Sequence, residues 1–345
     1  MRHFGWAVPF VLLPFAACAN GARSGDLSPA GSLGSSAAGN GSTSGDGLFG
    51  MGPGAARGDG GRVPKCDTSE NCTCINIASI GQTAHYGVAG LNSDSTVAFT
   101  DWLNSHSSAS VDLYKARPMI TADFLAKYDI LIIQWLTDSN TGPYWTFDPS
   151  EIAALKTWVT AGGGLITLSG YDTSPEETRP LNQILSFTDI SYNMDDVLTG
   201  CPPASAGQTN LCYCWGNSQP LGGWGQSPIA QHITQIGALH GRSINPGSAT
   251  VDAADPSTGK VYAAHEMVGK GHVFAYADEW VTYSSQWLGT SAINTTAMYT
   301  DPNNPCYHRS AADVFQVPQF WYDVISWEAS GTQCIFKLRD PAVIQ

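Results

Sequence analysis

The residues best suited to chemistry in this chain of 345 residues directly follow the ends of several predicted strands. They carry carboxylate, amide, phenol and indole groups. Ligands of open parallel sheets bind outside the carboxyl ends of the strands, so we expect these side chains to face one crevice. The predicted ligand-binding residues are Gln82, Trp135, Asp138, Tyr171, Asp172, Asp278, Glu279 and Trp280.

Indole rings beside carboxylates and amides indicate a carbohydrate ligand. The C–H face of a sugar ring packs on an indole, while carboxylates and amides bind the sugar hydroxyls. A glycan or peptidoglycan fragment is therefore the expected ligand of a domain that binds without catalysis. A simpler explanation of the same tryptophans is that they cover long loops as part of the packing.

The carboxylates leave other functions open. Asp172 and Glu279 are a candidate general acid and base for a hydrolase of carbohydrate or ester bonds. Together with Asp278 they could bind Ca²⁺, which prefers oxygen ligands, and we otherwise expect no cofactor. In the simplest case they cap and solvate loops, and the chain is a structural surface protein that binds another envelope protein.

Strands that alternate with helices must position these residues. The nearly continuous apolar run at 128–136 predicts a strand buried on both faces. A capping box at 148–151 predicts the start of a helix, and three glycines at 162–164 predict its end before a second buried strand at 165–168. The sequence therefore predicts an α/β fold with a doubly wound, mostly parallel sheet in a single domain.

Shorter signals predict the remaining elements. The sequence Gly-Lys-Gly at 269–271 predicts a hairpin turn between two alternating strands. The segment 197–225, rich in Cys, Gly and Pro, is interpreted as a disulfide-stabilised loop. Further strands are predicted at 76–80, 111–114, 190–194, 250–253, 261–267 and 272–277, and further helices at 96–104, 121–127, 181–187 and from about Pro318.

The segment 128–172 resembles the half of a class I glutamine amidotransferase-like domain that ends in the nucleophile elbow. The sequences Ser-Pro-Ile-Ala-Gln-His-Ile-Thr at 227–234 and Gly-Lys-Gly-His-Val-Phe-Ala-Tyr at 269–276 are similar to segments of the trehalose-utilisation type. This resemblance implies a flavodoxin-like architecture over about 75–335. Gly170 stands at the position of the family's nucleophile, so the resemblance implies a domain without the catalytic cysteine.

The family's His-Pro-Glu motif has its nearest match at His265-Glu266, inside a predicted strand. The amidotransferase mechanism needs a thiolate, a histidine that activates it and an acid that orients the histidine. Two of these three groups have no clear counterpart here. The sequence therefore argues against a glutaminase activity.

The first seventeen residues resemble a lipoprotein signal peptide. A short polar start is followed by an apolar run at 6–15 that is too short to span a bilayer, and small residues precede Cys18. The resemblance implies cleavage before Cys18 and its lipidation, whereas an ordinary signal peptide is the alternative. Ala19 favours the outer membrane or the cell surface. Residues 18–64 are then a disordered Gly/Ser-rich tether, and 65–340 the α/β domain.

Charge and cysteine content indicate an exported protein. Lys and Arg total 16 against 29 for Asp and Glu, and this acidic balance argues against a nucleic-acid partner. The membrane is then contacted through the lipid anchor. An even number of further cysteines predicts up to four disulfides, although Cys-x-Cys pairs at 72–74 and 212–214 leave a four-thiolate zinc site as a rival. The eight cysteines are Cys66, Cys72, Cys74, Cys201, Cys212, Cys214, Cys306 and Cys334.

Overall fold

The structure is a computed structural model, and it describes residues 75–81, 98–99, 102, 109–114, 116–137, 143–169, 175–196, 219–238, 241–283, 287 and 315–329. All of them belong to one compact unit, Ala55–Gln345; the other unit is Met1–Gly54. Several predictions lie outside the described residues. They concern the signal peptide, the tether, all nine cysteines, and Gln82, Asp138, Gly170, Tyr171 and Asp172.

Eleven strands and four α-helices occur in the described residues. The strands are β1 Ile75–Ile80, β2 Ala109–Tyr114, β3 Ile130–Gln134, β4 Gly164–Leu168, β5 Ser191–Asp196, β6 Gln219–Leu221, β7 Ile236–Ala238, β8 Arg242–Asn245, β9 Thr250–Ala254, β10 Val261–Val268 and β11 Gly271–Tyr276. The helices are α1 Ala122–Leu125, α2 Pro149–Thr160, α3 Thr178–Ile184 and α4 Val317–Glu328. None of these described helices is long and apolar enough to cross a membrane.

Nine strands form one sheet in the order β2-β1-β3-β4-β11-β10-β8-β5, with β9 paired to β10. The first five strands of this row are parallel to one another. The others extend the sheet through antiparallel pairs, and β10 and β11 form the predicted hairpin. The fold is therefore α/β with a mixed, mostly parallel sheet, which confirms the predicted class. β6 and β7 form a separate antiparallel pair.

The hydrophobic core lies on both faces of the parallel strands. In β3, Ile130 and Ile132 pack on one face with Phe320 of α4, whereas Leu131 and Ile133 pack on the other face with α2. Successive side chains of a strand point to opposite faces, so a strand that is covered on both sides is apolar at nearly every position. This covering by helices explains the apolar run that predicts β3.

Helix α2 begins where the capping signal predicts. The backbone N–H of Asp148 donates to the carboxylate of Glu151 at 2.9 Å, and Pro149 occupies the first turn. The same carboxylate accepts the N–H of Ile120 at 3.0 Å and binds Arg117. Glu151 therefore also ties α2 to the segment that leads into α1.

Some boundaries differ from the prediction. The strand predicted at 128–136 ends at Gln134, because Trp135 leaves the extended conformation. The helix predicted at 181–187 begins earlier, since Pro180 lies in the first turn of α3, where proline is tolerated. The pair β6 and β7 was not predicted, because Pro220 and Gly237 weaken the strand signal.

Candidate ligand-binding site

The carboxyl ends of the five parallel strands meet at one edge of the sheet, which we call the carboxyl edge. Strand β1 lies between β2 and β3, although all three follow one another in the chain. The order of the strands therefore reverses at β1, and the crevice beside such a reversal is where open parallel sheets bind ligands. Gly81 and Trp135 are the residues that follow β1 and β3 there.

Trp135 has a strained backbone at this switch point. With a φ of 43°, it is the one non-glycine residue among those described that has a positive φ. This conformation costs on the order of 1–3 kcal/mol, and such residues cluster at functional sites. Gly81 has a φ of 143°, and a β-carbon there would lie 1.6 Å from the carbonyl oxygen of Gln134. Only glycine therefore allows the two strand ends to approach so closely.

Buried polar atoms at the carboxyl edge lack partners. Gln134 is fully buried, and neither polar atom of its amide has a hydrogen-bond partner in the described part of the chain. The same holds for the indole N–H of buried Trp135 and the hydroxyl of Tyr276. Gln134 is in register with Leu168, and Leu168 with Tyr276, so the amide and the phenol point to the same face of the sheet.

A network of hydrogen bonds joins the ends of β4 and β11 to the start of β8. The hydroxyl of Ser169, which follows β4, donates to the carbonyl oxygen of Ala277. The backbone N–H of Arg242 donates to the Ser169 hydroxyl at 3.0 Å and to the Ala277 carbonyl oxygen at 3.0 Å. These bonds hold the segment that follows β11 in place.

Three carboxyl groups lie beyond this network. The Nε of Arg242 is 2.9 Å from the Oε1 of Glu177, and both side chains are about 5% exposed or less. Asp278 accepts the N–H of Trp280 at 3.0 Å and begins the 3-10 turn Glu279–Thr282. Glu279 is fully buried, and its charge interacts with those of Asp278 and Glu177.

Glu279 is a carboxyl group held toward its protonated form. Burial raises the pKa of Glu279 well above its ordinary value of 4.5, and the charges of Asp278 and Glu177 raise it further. The hydroxyl of Tyr283 donates to Oε1 at 3.3 Å, which opposes the shift. Oε2 has no hydrogen-bond partner among the described residues. Glu279 can therefore donate a proton or a hydrogen bond to a ligand.

An aromatic pair lies beside Glu279. The rings of Trp280 and Tyr283 are 4.1 Å apart between centroids and inclined by 32°. Tyr283 is buried, whereas Trp280 is partly exposed and its indole N–H has no partner in the described chain. Such a pair offers a flat apolar surface next to a hydrogen-bond donor, which suits an amphipathic ring.

Four of the eight predicted ligand-binding residues lie within the described residues, and all four are at the carboxyl edge: Trp135, Asp278, Glu279 and Trp280. Trp135 follows β3 and Asp278 closely follows β11. Those strands are two positions apart, so their ends are separated by about 10 Å. The other tryptophans at Trp145, Trp224 and Trp287 pack with the hydrophobic core, as the simpler explanation expects.

The structure adds three residues that the sequence did not single out: Gln134, Glu177 and Arg242. Gln134 left a signal, because it is the one polar side chain between 130 and 136 in a buried apolar run. For Glu177 and Arg242 the sequence contains no such signal. They are 65 positions apart in the chain, and only the pairing of β8 with the sheet brings them together.

His265 and Glu266, which match the family's histidine motif, form contacts with other residues. His265 lies within β10 with its Nδ1 2.8 Å from both carboxylate oxygens of Asp252, and the carboxylate of Glu266 accepts the N–H of Asp189 at 3.2 Å. No group of three or more His, Cys, Asp or Glu side chains that could hold a metal ion occurs in the described residues. The predicted Ca²⁺ set includes Asp172, which lies outside them.

The described fold and site define the chain as an α/β protein with a buried polar cluster at the carboxyl edge of its sheet. No protein-family model matches the chain, and no curated protein matches it. Among solved structures it is similar to the mmIFT52 N-terminal domain at 14% identity, with a TM-score of 0.48 and coverage of 73% of this chain and 96% of that one.

Two further structures show the same level of likeness or less. A cytoplasmic protein from Salmonella typhimurium LT2 is 15% identical, with a TM-score of 0.46 and coverage of 74% and 99% of the two chains. A beta-galactosidase from Rahnella sp. R3 is 14% identical, with a TM-score of 0.36 and coverage of 58% and 28%. Structural similarity at these TM-scores does not indicate a function for this chain.

Proposed function

We propose that this chain is a cell-envelope lipoprotein whose α/β domain binds a glycan or peptidoglycan fragment at the carboxyl edge. One observation carries the proposal. Side chains at that edge, among them Gln134, Trp135, Glu279 and Trp280, have buried polar atoms without a partner among the described residues. An unpaired buried polar group costs about 1–3 kcal/mol. Ser326 and Glu328 also have such atoms, but those at the carboxyl edge coincide with the crevice where open parallel sheets bind ligands.

The chemistry of these four side chains favours a ligand rich in hydroxyl groups. The two indoles only donate hydrogen bonds, the amide of Gln134 both donates and accepts, and protonated Glu279 does the same. A sugar offers donors and acceptors on neighbouring hydroxyls, together with an apolar face for the pair Trp280 and Tyr283. Ends of strands that are about 10 Å apart suit an oligosaccharide better than a single ion.

The proposal extends to the type of fold. We assign the domain to the doubly wound, amidotransferase-like type without the catalytic cysteine, with disulfides among its eight remaining cysteines. Helices on both faces of the parallel strands support this assignment. Ser169 cannot easily replace the missing nucleophile, because its hydroxyl already donates to Ala277 and accepts from Arg242.

A hydrolase is the second candidate, and the raised pKa of Glu279 favours it. A general acid of a glycoside hydrolase must hold its proton near neutral pH, which burial and nearby carboxylates allow. Asp172 would be its partner. Binding without catalysis is our first choice, because the unpaired polar atoms include those of Gln134 and Trp135, which a reaction at Glu279 would not need.

Titration with cell-wall oligosaccharides tests the proposed function. We expect saturable quenching or a blue shift of the tryptophan fluorescence and a higher melting temperature. Trp280→Phe should weaken binding about tenfold or more, since it removes both an N–H and part of the aromatic surface. Trp158→Phe is the matched control, because Trp158 packs against Gly163 at the opposite edge of the sheet. Unchanged fluorescence and melting temperature across the oligosaccharides would refute the proposal.

The membrane anchor is tested by Cys18→Ser. A serine cannot accept the thioether-linked lipid, so the variant should leave the membrane fraction and appear in the soluble fraction. Fractionation followed by immunoblotting measures the result, and Cys66→Ser is the control that keeps the anchor. Membrane association of Cys18→Ser equal to that of the unchanged protein would show that the lipid is not the anchor.

A further inference from the structure

We propose that the ligand of the carboxyl edge carries a primary ammonium group, which binds between Glu279 and the aromatic pair of Trp280 and Tyr283. This inference rests on the proposed function, because it assigns a chemical class to the ligand of the same site. Such an ammonium can belong to a de-N-acetylated amino sugar or to an amine of an attached peptide. The two sources share one chemistry and are separated by the experiment below.

One carboxyl oxygen of Glu279 has no partner among the described residues. Its side chain is fully buried, Oε1 receives one hydrogen bond from Tyr283 at 3.3 Å, and Oε2 receives none from the described residues. A carboxylate accepts several hydrogen bonds and an ammonium donates three. A hydroxyl ligand would satisfy Oε2 as well, but an ammonium would also supply a charge.

Two negatively charged side chains lie near Glu279. Glu279 interacts with the negative charges of Asp278, on the same turn, and of Glu177, on the neighbouring 3-10 turn Pro175–Glu177. Arg242 is bound to Glu177 at 2.9 Å, and Tyr276 and Tyr283 are neutral phenols. A positive charge placed here is attracted by the carboxyl groups, whereas a uronic acid or a phosphate would be repelled.

The aromatic pair of Trp280 and Tyr283 provides a surface on which a cation can bind. Trp280 is partly exposed and packs against Tyr283 with the rings inclined by 32°, and the hydroxyl of Tyr283 contacts Glu279. Cations bind most favourably over indole rings, and the interaction strengthens when the site excludes water. The same residues therefore combine a flat aromatic surface with a nearby carboxyl group, which is the pairing that alkylammonium groups require.

The proton balance of binding follows from the protonated state of Glu279. In the free protein, burial and the two neighbouring carboxylates raise the pKa of Glu279 and so favour its protonated form. When an ammonium binds, the carboxyl proton passes to solvent and an ammonium–carboxylate pair remains. About one proton is then released for each ligand bound, at a pH between the pKa values of Glu279 in the complex and in the free protein.

Calorimetry with matched oligosaccharides tests this inference. The probes are the tetramer of glucosamine, the tetramer of N-acetylglucosamine and 1,5-diaminopentane, each titrated at a pH near 6.5 in two buffers of different ionisation enthalpy. We expect the glucosamine tetramer to bind about tenfold tighter than the acetylated one and to release about one proton. Glu279→Gln should abolish both the preference and the proton release while the acetylated tetramer still binds.

The outcomes separate the two proposals. Equal affinities for the two tetramers without proton release would overturn the ammonium inference and leave the glycan proposal standing. Binding of 1,5-diaminopentane but of neither tetramer would overturn the glycan proposal and support the ammonium inference with a peptide amine as its source. Binding of none of the three probes would overturn both.

Discussion

Arg242→Met is expected to lower the free energy of unfolding by about 3–5 kcal/mol, since it removes the guanidinium that binds the buried carboxylate of Glu177. The Nε of Arg242 lies 2.9 Å from Oε1 of Glu177, and the two side chains are 5% and 3% exposed. Loss of the guanidinium would also remove a positive charge from the group of carboxyl side chains at the carboxyl edge. Urea denaturation at neutral pH, followed by circular dichroism, measures the change.

Arg179→Met is the matched control for this prediction. Arg179 also pairs with a glutamate, Glu176 at 3.0 Å, but these side chains are 39% and 62% exposed. The exposed pair contributes little, and the guanidinium of Arg179 also donates to the carbonyl oxygens of Tyr144 and Trp145, so the control should cost about 1–2 kcal/mol. The double variant Glu177→Met/Arg242→Met should recover most of the loss, because no charge stays buried alone. A loss in Arg242→Met no greater than in Arg179→Met would contradict this account of the pair.

Glu279→Gln is expected to stabilise the fold near neutral pH and to weaken ligand binding. Burial and two neighbouring carboxylates raise the pKa of Glu279 in the folded protein above its ordinary value of 4.5. The unfolded chain therefore releases this proton at lower pH than the folded protein does. As the pH rises above about 4.5, the native protein loses stability by about 1.4 kcal/mol per pH unit until the folded-state pKa is reached.

The amide that Glu279→Gln introduces does not titrate, so the advantage of this variant should be near zero at pH 4 and should grow as the pH rises. Thermal and urea unfolding between about pH 4 and pH 8 measure it. Glu176→Gln is the control, because it makes the same substitution at an exposed side chain. A stability difference for Glu279→Gln that does not change with pH would contradict the protonated state of Glu279.

The same variant separates binding from catalysis. A gain in stability with a loss of the preference for the amino sugar is the pattern expected of a buried group kept for function rather than for folding. If the chain hydrolyses a glycan or an ester, Glu279→Gln should also remove its general acid and most of that activity. A hydrolytic activity that Glu279→Gln leaves unchanged would remove the hydrolase alternative.

The strands of the parallel sheet could be predicted because burial on both faces imposes an apolar side chain at nearly every position. That constraint produced the run at 128–136 and the shorter run at 165–168. The turn at 269–271 and the cap at 148–151 could also be predicted from the local sequence, because glycine and proline act on the conformation of their own backbone. The rule that ligands bind at the carboxyl edge then selected Trp135, Asp278, Glu279 and Trp280 from those strands alone.

The positive φ of Trp135 could not be predicted in this way. Its side chain continues the apolar run, and nothing in residues 128–136 interrupts the strand signal. The chain turns there because the end of β1 packs against it, with Gly81 in contact with the carbonyl oxygen of Gln134. That contact joins residues more than fifty positions apart and exists only once β1 and β3 have paired.

By itself, the sequence determined the α/β class, the parallel strands and the edge at which chemistry can occur, because all three follow from local burial patterns and from a general rule of parallel sheets. Only the tertiary structure decided the electrostatic state of that edge. It brought Glu177 and Arg242 beside Asp278 and Glu279, and it removed Glu279 from water. The charge of a carboxyl group depends on its neighbours in space and on its access to solvent. Neither can be predicted from the residues adjacent to it in the sequence.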